Sequence, residues 1–456
     1  MGQGWVMRVF AAICLLSLSL SMAHAYQSSS IVWPGRSIFN ERNFEDGDSN
    51  FSGDIGLEST ELTKQPRSDY GAERFVVTHM KYSLKSNRHS LMAKMDATFR
   101  EDLNASVPEL FYQYTGNSSS IRVGRQFINY SPLDEVWELG IVNKRLNMDF
   151  YDNRPEGLCG ASYIKNEGPF EFNFFASYLH IPQLRPSYKI TDGVITSDSK
   201  WAWLPPTETS FENRPVYIRY RVEDPKIGDI LFRPSIGGRI SYTLKKTTVD
   251  AFYLIKPENQ LRFSGDVAYS VEDDVAWADI SGVGYQQRLF GANIVQRFGD
   301  NVFLGVSTLS VRPEGSSTNN EVLAKHVQIS TARHEQDYLN VGLDVRKFNS
   351  KFSVNYLRQM SALRPSTSFI NEQIKWYEAI GVKASTELFE TILPSLHYSY
   401  DFETKTRMLE GELGARFGER LLGAVGMRMI EAPKDQFYWA SFRANDYAYA
   451  RLSYIF

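Results

Sequence analysis

Cysteine is nearly absent from this chain. There are two, Cys14 and Cys159, and Cys14 lies inside an N-terminal apolar run. A chain processed behind that run keeps one thiol, so internal disulfides are excluded as the source of its stability. Long apolar runs are missing as well. Beyond the first 25 residues nothing approaches the ~18 consecutive apolar residues of a membrane helix. Positive charge is not in excess, with 50 Lys and Arg against 53 Asp and Glu, which argues against a nucleic-acid binder. Catalytic signatures are lacking too. Gly160-Ala161-Ser162 runs on to Tyr163 and Ile164 rather than completing a nucleophile elbow. His334-Glu335 opens a zinc-protease pattern, but position 338 is tyrosine. No phosphate-binding loop or dinucleotide fingerprint occurs. His79, His89, His180, His326, His334 and His397 stand singly, without metal-ligand spacing. These absences predict no enzyme activity, no metal and no cofactor.

What is present begins with residues 1–25, "MGQGWVMRVFAAICLLSLSLSMAHA". Arg8, a short serine-interrupted apolar run and Ala23-His24-Ala25 predict a cleaved secretory signal peptide. Cleavage there leaves 431 residues carrying 49 basic and 53 acidic side chains, a net of −4. Aromatics make up 14% of the chain, with 25 Tyr and 29 Phe, yet mean hydropathy is only −0.33. That mixture arises when every second residue of each strand faces lipid. Residues 26–50 show no clean period and predict a periplasmic extension or small plug.

From Phe51 to Phe456 the period is two. Val76, Thr78, Met80, Tyr82 and Leu84 oppose Val77, His79, Lys81, Ser83 and Lys85. Leu409, Gly411, Leu413, Ala415 and Phe417 oppose Met408, Glu410, Glu412, Gly414 and Arg416. Short turns, "SNRH", "GNSS", "NEGP", "LKKT", "FGDN", "FNSK" and "FGER", alternate with long polar stretches at 131–155, 182–214, 313–337 and 362–374. Short turns at one end and long loops at the other predict an all-β fold, an antiparallel transmembrane β-barrel of about 18 strands, within a range of about 16–20. A soluble sandwich needs two inner faces packed together and does not produce this alternation. The stretch 256–288 reads equally as one long loop or as two further strands.

The chain ends in mid-strand on "YAYARLSYIF". In a closed barrel the last strand pairs with the first, so no edge is left free. Tyr454 and Phe456 resemble the C-terminal assembly signal of outer-membrane proteins, which implies the barrel-assembly machinery as a partner. "IRVGRQ", Ile121 to Gln126, resembles an element of the alginate-export porins and related substrate-selective channels. That resemblance covers the architecture and this motif. It implies a channel for small or polymeric solutes without a bound cofactor. Strict alternation places Arg125 with the lipid-facing Ile121 and Val123, where a charge is costly. Either Gly124 marks a bulge that turns Arg125 inward, or Arg125 sits at the rim.

The polar parity supplies the candidate lumen residues: Lys81, Lys94, Arg100, Arg122, Arg239, Arg346, Glu410, Arg416 and Arg428, with Arg125 added under the bulge alternative. Both signs occur along the wall, so they set no charge preference for a solute; a hydrated ion-paired wall and a selectivity ring both fit. The aperiodic segment 180–216 is the candidate constriction loop, with Tyr188, Trp201 and Trp203 positioned to stack on flat faces. Turn geometry fixes two registers. A two-residue turn at Asn87 and Arg88 sets His79 opposite Asp96 and Lys81 opposite Lys94. A three-residue turn at Gly418 to Arg420 sets Glu410 opposite Arg428, both inward. The resulting expectation is a porin in the outer membrane of a Gram-negative bacterium. It passes small hydrophilic solutes by diffusion, with room for substrate selectivity, and has outer-membrane lipid and lipopolysaccharide around it. A non-conducting receptor or adhesin and a barrel enzyme are the alternatives.

Overall fold

In the computed structural model the described residues are 49–62, 73–99, 103–145, 154–183, 188–197, 207–211, 214–223, 226–314, 322–323, 326–329, 335–347, 349–361, 374–389, 391–433, 438–442 and 445–456. The expected signal peptide, most of the expected N-terminal extension, Arg100, Trp201 and Trp203 lie outside them.

Eighteen strands form the wall: β1 (Ser49–Leu62), β2 (Glu73–Ser86), β3 (His89–Phe99), β4 (Leu103–Thr115), β5 (Ser119–Gln126) and β6 (Leu158–Glu167). There follow β7 (Phe170–Ser177), β8 (Ser235–Leu244), β9 (Thr247–Pro257), β10 (Gln286–Phe298), β11 (Val302–Pro313) and β12 (Gln336–Lys347). The last are β13 (Ser350–Gln359), β14 (Glu378–Ser385), β15 (Ile392–Asp401), β16 (Arg407–Phe417), β17 (Leu421–Glu431) and β18 (Tyr447–Ile455). Each pairs antiparallel with its neighbours in sequence, and β18 pairs with β1, so the sheet closes on itself. The chain is an 18-stranded antiparallel closed β-barrel.

Closure explains the aromatic ending. Leu452 faces Leu57 and Tyr454 faces Ile55 across the seam. Beyond them Phe456 N–H donates to Gly53 O at 3.0 Å, Gly53 N–H donates to Phe456 O at 3.1 Å, and the Phe456 ring stacks on Phe51 at 5.4 Å. The last residue is therefore tied into the wall instead of fraying.

All seven predicted short turns lie at one end, where both the first strand starts and the last strand finishes. An eighth short connection at this end, 386–391, carried no clear turn signal in the sequence. Asn87 at φ 50° and Gly418 at φ 66° supply the left-handed backbone their turns need. Both predicted registers hold: His79 faces Asp96, Lys81 faces Lys94, and Glu410 faces Arg428. The outward parity is apolar and exposed, as at Leu57, Phe174, Ile240, Ile294, Val425 and Leu452.

The 256–288 question resolves in a third way. Arg262–Ser270 and Val275–Val283 are strands, but they pair with each other in a separate six-stranded sheet at the loop end. That sheet also takes Arg214–Glu223, parallel to Val275–Val283, together with Glu208–Phe211, His326–Ile329 and Val322–Leu323. Periodicity identified the strands and could not say which sheet they join.

Candidate functional site: the filled lumen

The connection from β5 to β6 does not stay outside. Residues 127–145 brace themselves first. The Asp134 N–H donates to Ser131 Oγ at 3.3 Å, capping the one-turn helix α1 (Pro132–Val136), with proline in the position that needs no donor. The Asp134 carboxylate then accepts Ile141 N–H at 2.8 Å and Val142 N–H at 2.9 Å. Asn143 pairs with the backbone of Ile128 in both directions at 3.0 Å. The fold of this segment is thus set by its own short polar side chains.

It is then fastened to widely separated parts of the wall. Asn293 on β10 donates to Tyr130 O at 3.1 Å. The Trp137 indole N–H donates to Asn340 Oδ1 on β12 at 2.8 Å. Lys256 on β9 donates to Ile141 O at 3.1 Å, and Asn259 donates to Gly140 O at 2.6 Å. Lys375, ahead of β14, donates to Glu138 O at 2.9 Å. A segment held at once from β9, β10, β12 and the approach to β14 crosses the lumen. Its apolar side chains, including Tyr130, Leu133, Trp137 and Val142, are buried with inward-facing Phe252, Leu254, Leu289, Leu309 and Leu357. Satisfied donors and buried apolar surface act together, as a buried polar group without a partner would cost about 1–3 kcal/mol.

Glu138 concentrates the charge of this plug. Its carboxylate lies 3.6 Å from Lys383 Nζ and 3.9 Å from Arg145 Nη1. Burial works against its ionised form, but Arg145, Lys383, His397 and Lys375 together outweigh burial and hold its pKa below the usual carboxylate value. Its backbone is left-handed at φ 54°, a strained conformation for a non-glycine residue. A cavity of about 40 Å³ opens beside it, lined by Trp137, Glu138, Lys375, Trp376, His397 and Ser399 among others. It is roomy and polar enough for water.

The opposite arc of the wall, from β16 through the seam to β5, is charged. Asp96 contacts His79 at 2.9 Å and Arg154 at 3.3 Å. Lys94 pairs with Glu109, the third charge that relieves the opposed Lys81–Lys94 rung. Arg428 Nε reaches Glu410 at 2.8 Å, and Arg451 reaches Glu412 at 3.1 Å. Arg122 donates to Gln113 at 2.6 Å. Arg416 approaches Glu387 at 3.3 Å. Elsewhere, Arg239 binds Glu171 and Asn129 O, and Arg346 lies over the Phe303 ring at 5.2 Å. Arg125 follows Gly124, whose φ is 131°, and its guanidinium turns to Glu156 at 3.1 Å, which in turn accepts from the inward Ser106. No bulge interrupts the strand at Gly124: Arg125 pairs in unbroken register with Leu110 and Cys159, one residue before the loop end of β5, and only its guanidinium reaches round to Glu156.

Of the expected constriction loop 180–216, Tyr188 adjoins the hairpin of Lys189–Thr191 and Val194–Thr196, whose Ile195 packs on the second sheet, while Trp201 and Trp203 lie outside the described residues. Among the described residues it is 127–145 that crosses the lumen. A signal for this was present: "FYLI", Phe252 to Ile255, is apolar on both parities near the loop end, so its inward face requires an apolar partner.

No family model matches the chain, and no curated protein matches it. Solved structures do align. Pseudomonas aeruginosa OccK2 (OpdF), crystallised with glucuronate, aligns at TM-score 0.49 and 8% identity over 90% of this chain and 97% of that one. P. aeruginosa OccK11 (OpdR) aligns at TM-score 0.47 and 10% identity, over 90% and 97%. Acinetobacter baumannii OccAB1 aligns at TM-score 0.47 and 9% identity, over 90% and 96%.

Proposed function

We propose that this chain is an outer-membrane porin of a Gram-negative bacterium, through which small hydrophilic solutes diffuse past an infolded loop. The observation that supports it most is the combination within one barrel: an apolar outer face, a charged inner arc from β16 to β5, and a plug at 127–145 fastened to the other arc. Solute passes along the charged arc, where Lys81, Lys94, Arg122, Glu410 and Arg428 screen it. Both signs on that arc suit polar or zwitterionic solutes better than apolar ones. The chain is exported behind residues 1–25, and Tyr454 and Phe456 serve assembly. Purified barrel in planar bilayers should give discrete conductance steps, and liposomes containing it should swell in small sugars or amino acids. A folded, heat-modifiable barrel that gives neither steps nor swelling would make it a receptor instead.

A further inference from the structure

The outward face near the loop end carries charge where lipid contact should begin. On β10 the outward residues Phe290, Ala292, Ile294 and Phe298 are exposed and, apart from Gln296, form an apolar band along the strand. Directly above them stands Arg288, exposed, and directly opposite Arg312 on β11. Like charges opposed across strands repel. Arg312 is compensated on its far side, by Asp337 at 2.9 Å and Glu335 at 3.3 Å. Arg288 has Ile255 on its other side and no hydrogen-bond or ion-pair partner among the described residues.

The end of the β7–β8 connection lies near the top of the same strand. Gln286, the outward residue before Arg288, donates to Pro234 O at 2.7 Å, which draws the end of the β7–β8 connection over the top of β10. There Arg233 Nε donates to the Asp229 carbonyl at 2.6 Å and lies beside Gly284. The one-turn helix α2 (Ile227–Leu231) and its flanks carry Lys226 and Arg233 against Asp229. Beside it, Tyr178, Ile227, Phe232 and Ile236 are all more than half exposed, and the Tyr178 and Phe232 rings stack at 6.0 Å. Aromatics with cations above them are the pattern of a membrane interface.

We infer that Arg288, with Arg312 opposite it, binds the phosphate of a phosphorylated lipid of the outer leaflet, lipid A being the committed occupant. Guanidinium groups bind phosphate oxygens through paired N–H donors. The acyl chains lie on Phe290 and Tyr253, which face each other just below. The apolar band favours an amphipathic anion over a water-soluble one, because only the former gains from those rings. This inference rests on the outer-membrane reading, with the loop end outward.

The test is native mass spectrometry of the full-length barrel titrated with lipid A, with dephosphorylated lipid A and with phosphatidylglycerol. Arg288→Gln is the main variant, since its side chain holds nothing else in the fold. Arg74→Gln, an exposed outward position at the same end on β2, is the control. Wild type and R74Q should bind lipid A alike, with R288Q about tenfold weaker. Dephosphorylated lipid A should bind wild type as weakly as lipid A binds R288Q. Phosphatidylglycerol binding as tightly as lipid A, or equal lipid A binding by wild type and R288Q, would overturn the inference. Conductance is read separately: loss of channel activity in wild type removes the porin reading and leaves the lipid measurement standing.

Discussion

The two arcs of the inner wall are built on the same period and end in opposite environments. From β16 through the seam to β5, inward positions hold Glu410, Glu412, Arg428, Arg451, His79 and Lys94, half-buried and ion-paired. From β7 to β14, near the loop end, inward positions hold Phe175, Leu254, Leu289, Leu309 and Leu357, each buried under the plug. A charged wall stays hydrated without help. An apolar wall in a water-filled lumen is unfavourable by ~25 cal/mol for each Å² left wet. The plug therefore leans where the wall is apolar and not on the charged side.

Removing the plug should break this asymmetry most severely. Replacing 132–142 by a glycine-serine linker should raise single-channel conductance severalfold; an unchanged step size would mean the plug does not limit the pore. Trp137→Ala comes next. It empties a buried ring site at a cost of roughly 3–5 kcal/mol. Amide exchange across 130–143 should then quicken by about a hundredfold or more, and unaltered protection would show that the ring is not an anchor.

The pH response is smaller. Glu138 has its pKa lowered in the folded protein, so its contribution to docking is complete above the ordinary carboxylate value of about 4.3 and fades as pH falls through its lower folded value. Conductance noise from plug motion should rise only below about pH 4, and Glu138→Gln should show that noise at neutral pH. His180, in the β7–β8 connection, works in a neighbouring window. Burial first, then Lys256, Lys144 and Arg233, lower its pKa to about 3. Neutral His180 supports the fold fully above about 6.5, and that support weakens as pH falls from there toward 3. His180→Phe should flatten loop stability across that range, measured by limited proteolysis. The smallest effect belongs to Glu410→Gln. One half-buried pair in a hydrated lumen contributes about 1 kcal/mol or less, so barrel melting should barely move. Cysteines at 410 and 428 should still crosslink where those at 410 and 427 do not.

Much of the wall was legible in the sequence because a lipid-facing strand imposes period two and a short turn fixes a register. Gly418 to Arg420 set Glu410 on Arg428 from turn length alone. Opposed Lys81 and Lys94 repel unless a third charge or the lumen water relieves them; Glu109 was not legible as that charge, since a bulge between Lys94 and Asp96 shifts the β3–β4 register. The plug was not legible. Its shape depends on Asp134 and Asn143 closing local backbone bonds, and its position on contacts more than a hundred residues away, such as Trp137 to Asn340. Length and aromatic content favoured 180–216 instead, whereas the inward apolar residues of β9 to β13 were the better guide.

The central claim, that 127–145 occupies the lumen against β14, turns on Gly381. This inward glycine faces the Trp137 ring, which an added Cβ would meet at 3.3 Å. Gly411 on β16 faces outward, and an added Cβ there meets nothing within 4 Å. Single-channel conductance of Gly381→Leu and Gly411→Leu should be compared with wild type in the same bilayers. The account predicts that G381L displaces the plug and raises conductance while G411L leaves it unchanged. A G381L channel with the wild-type conductance and noise would contradict it.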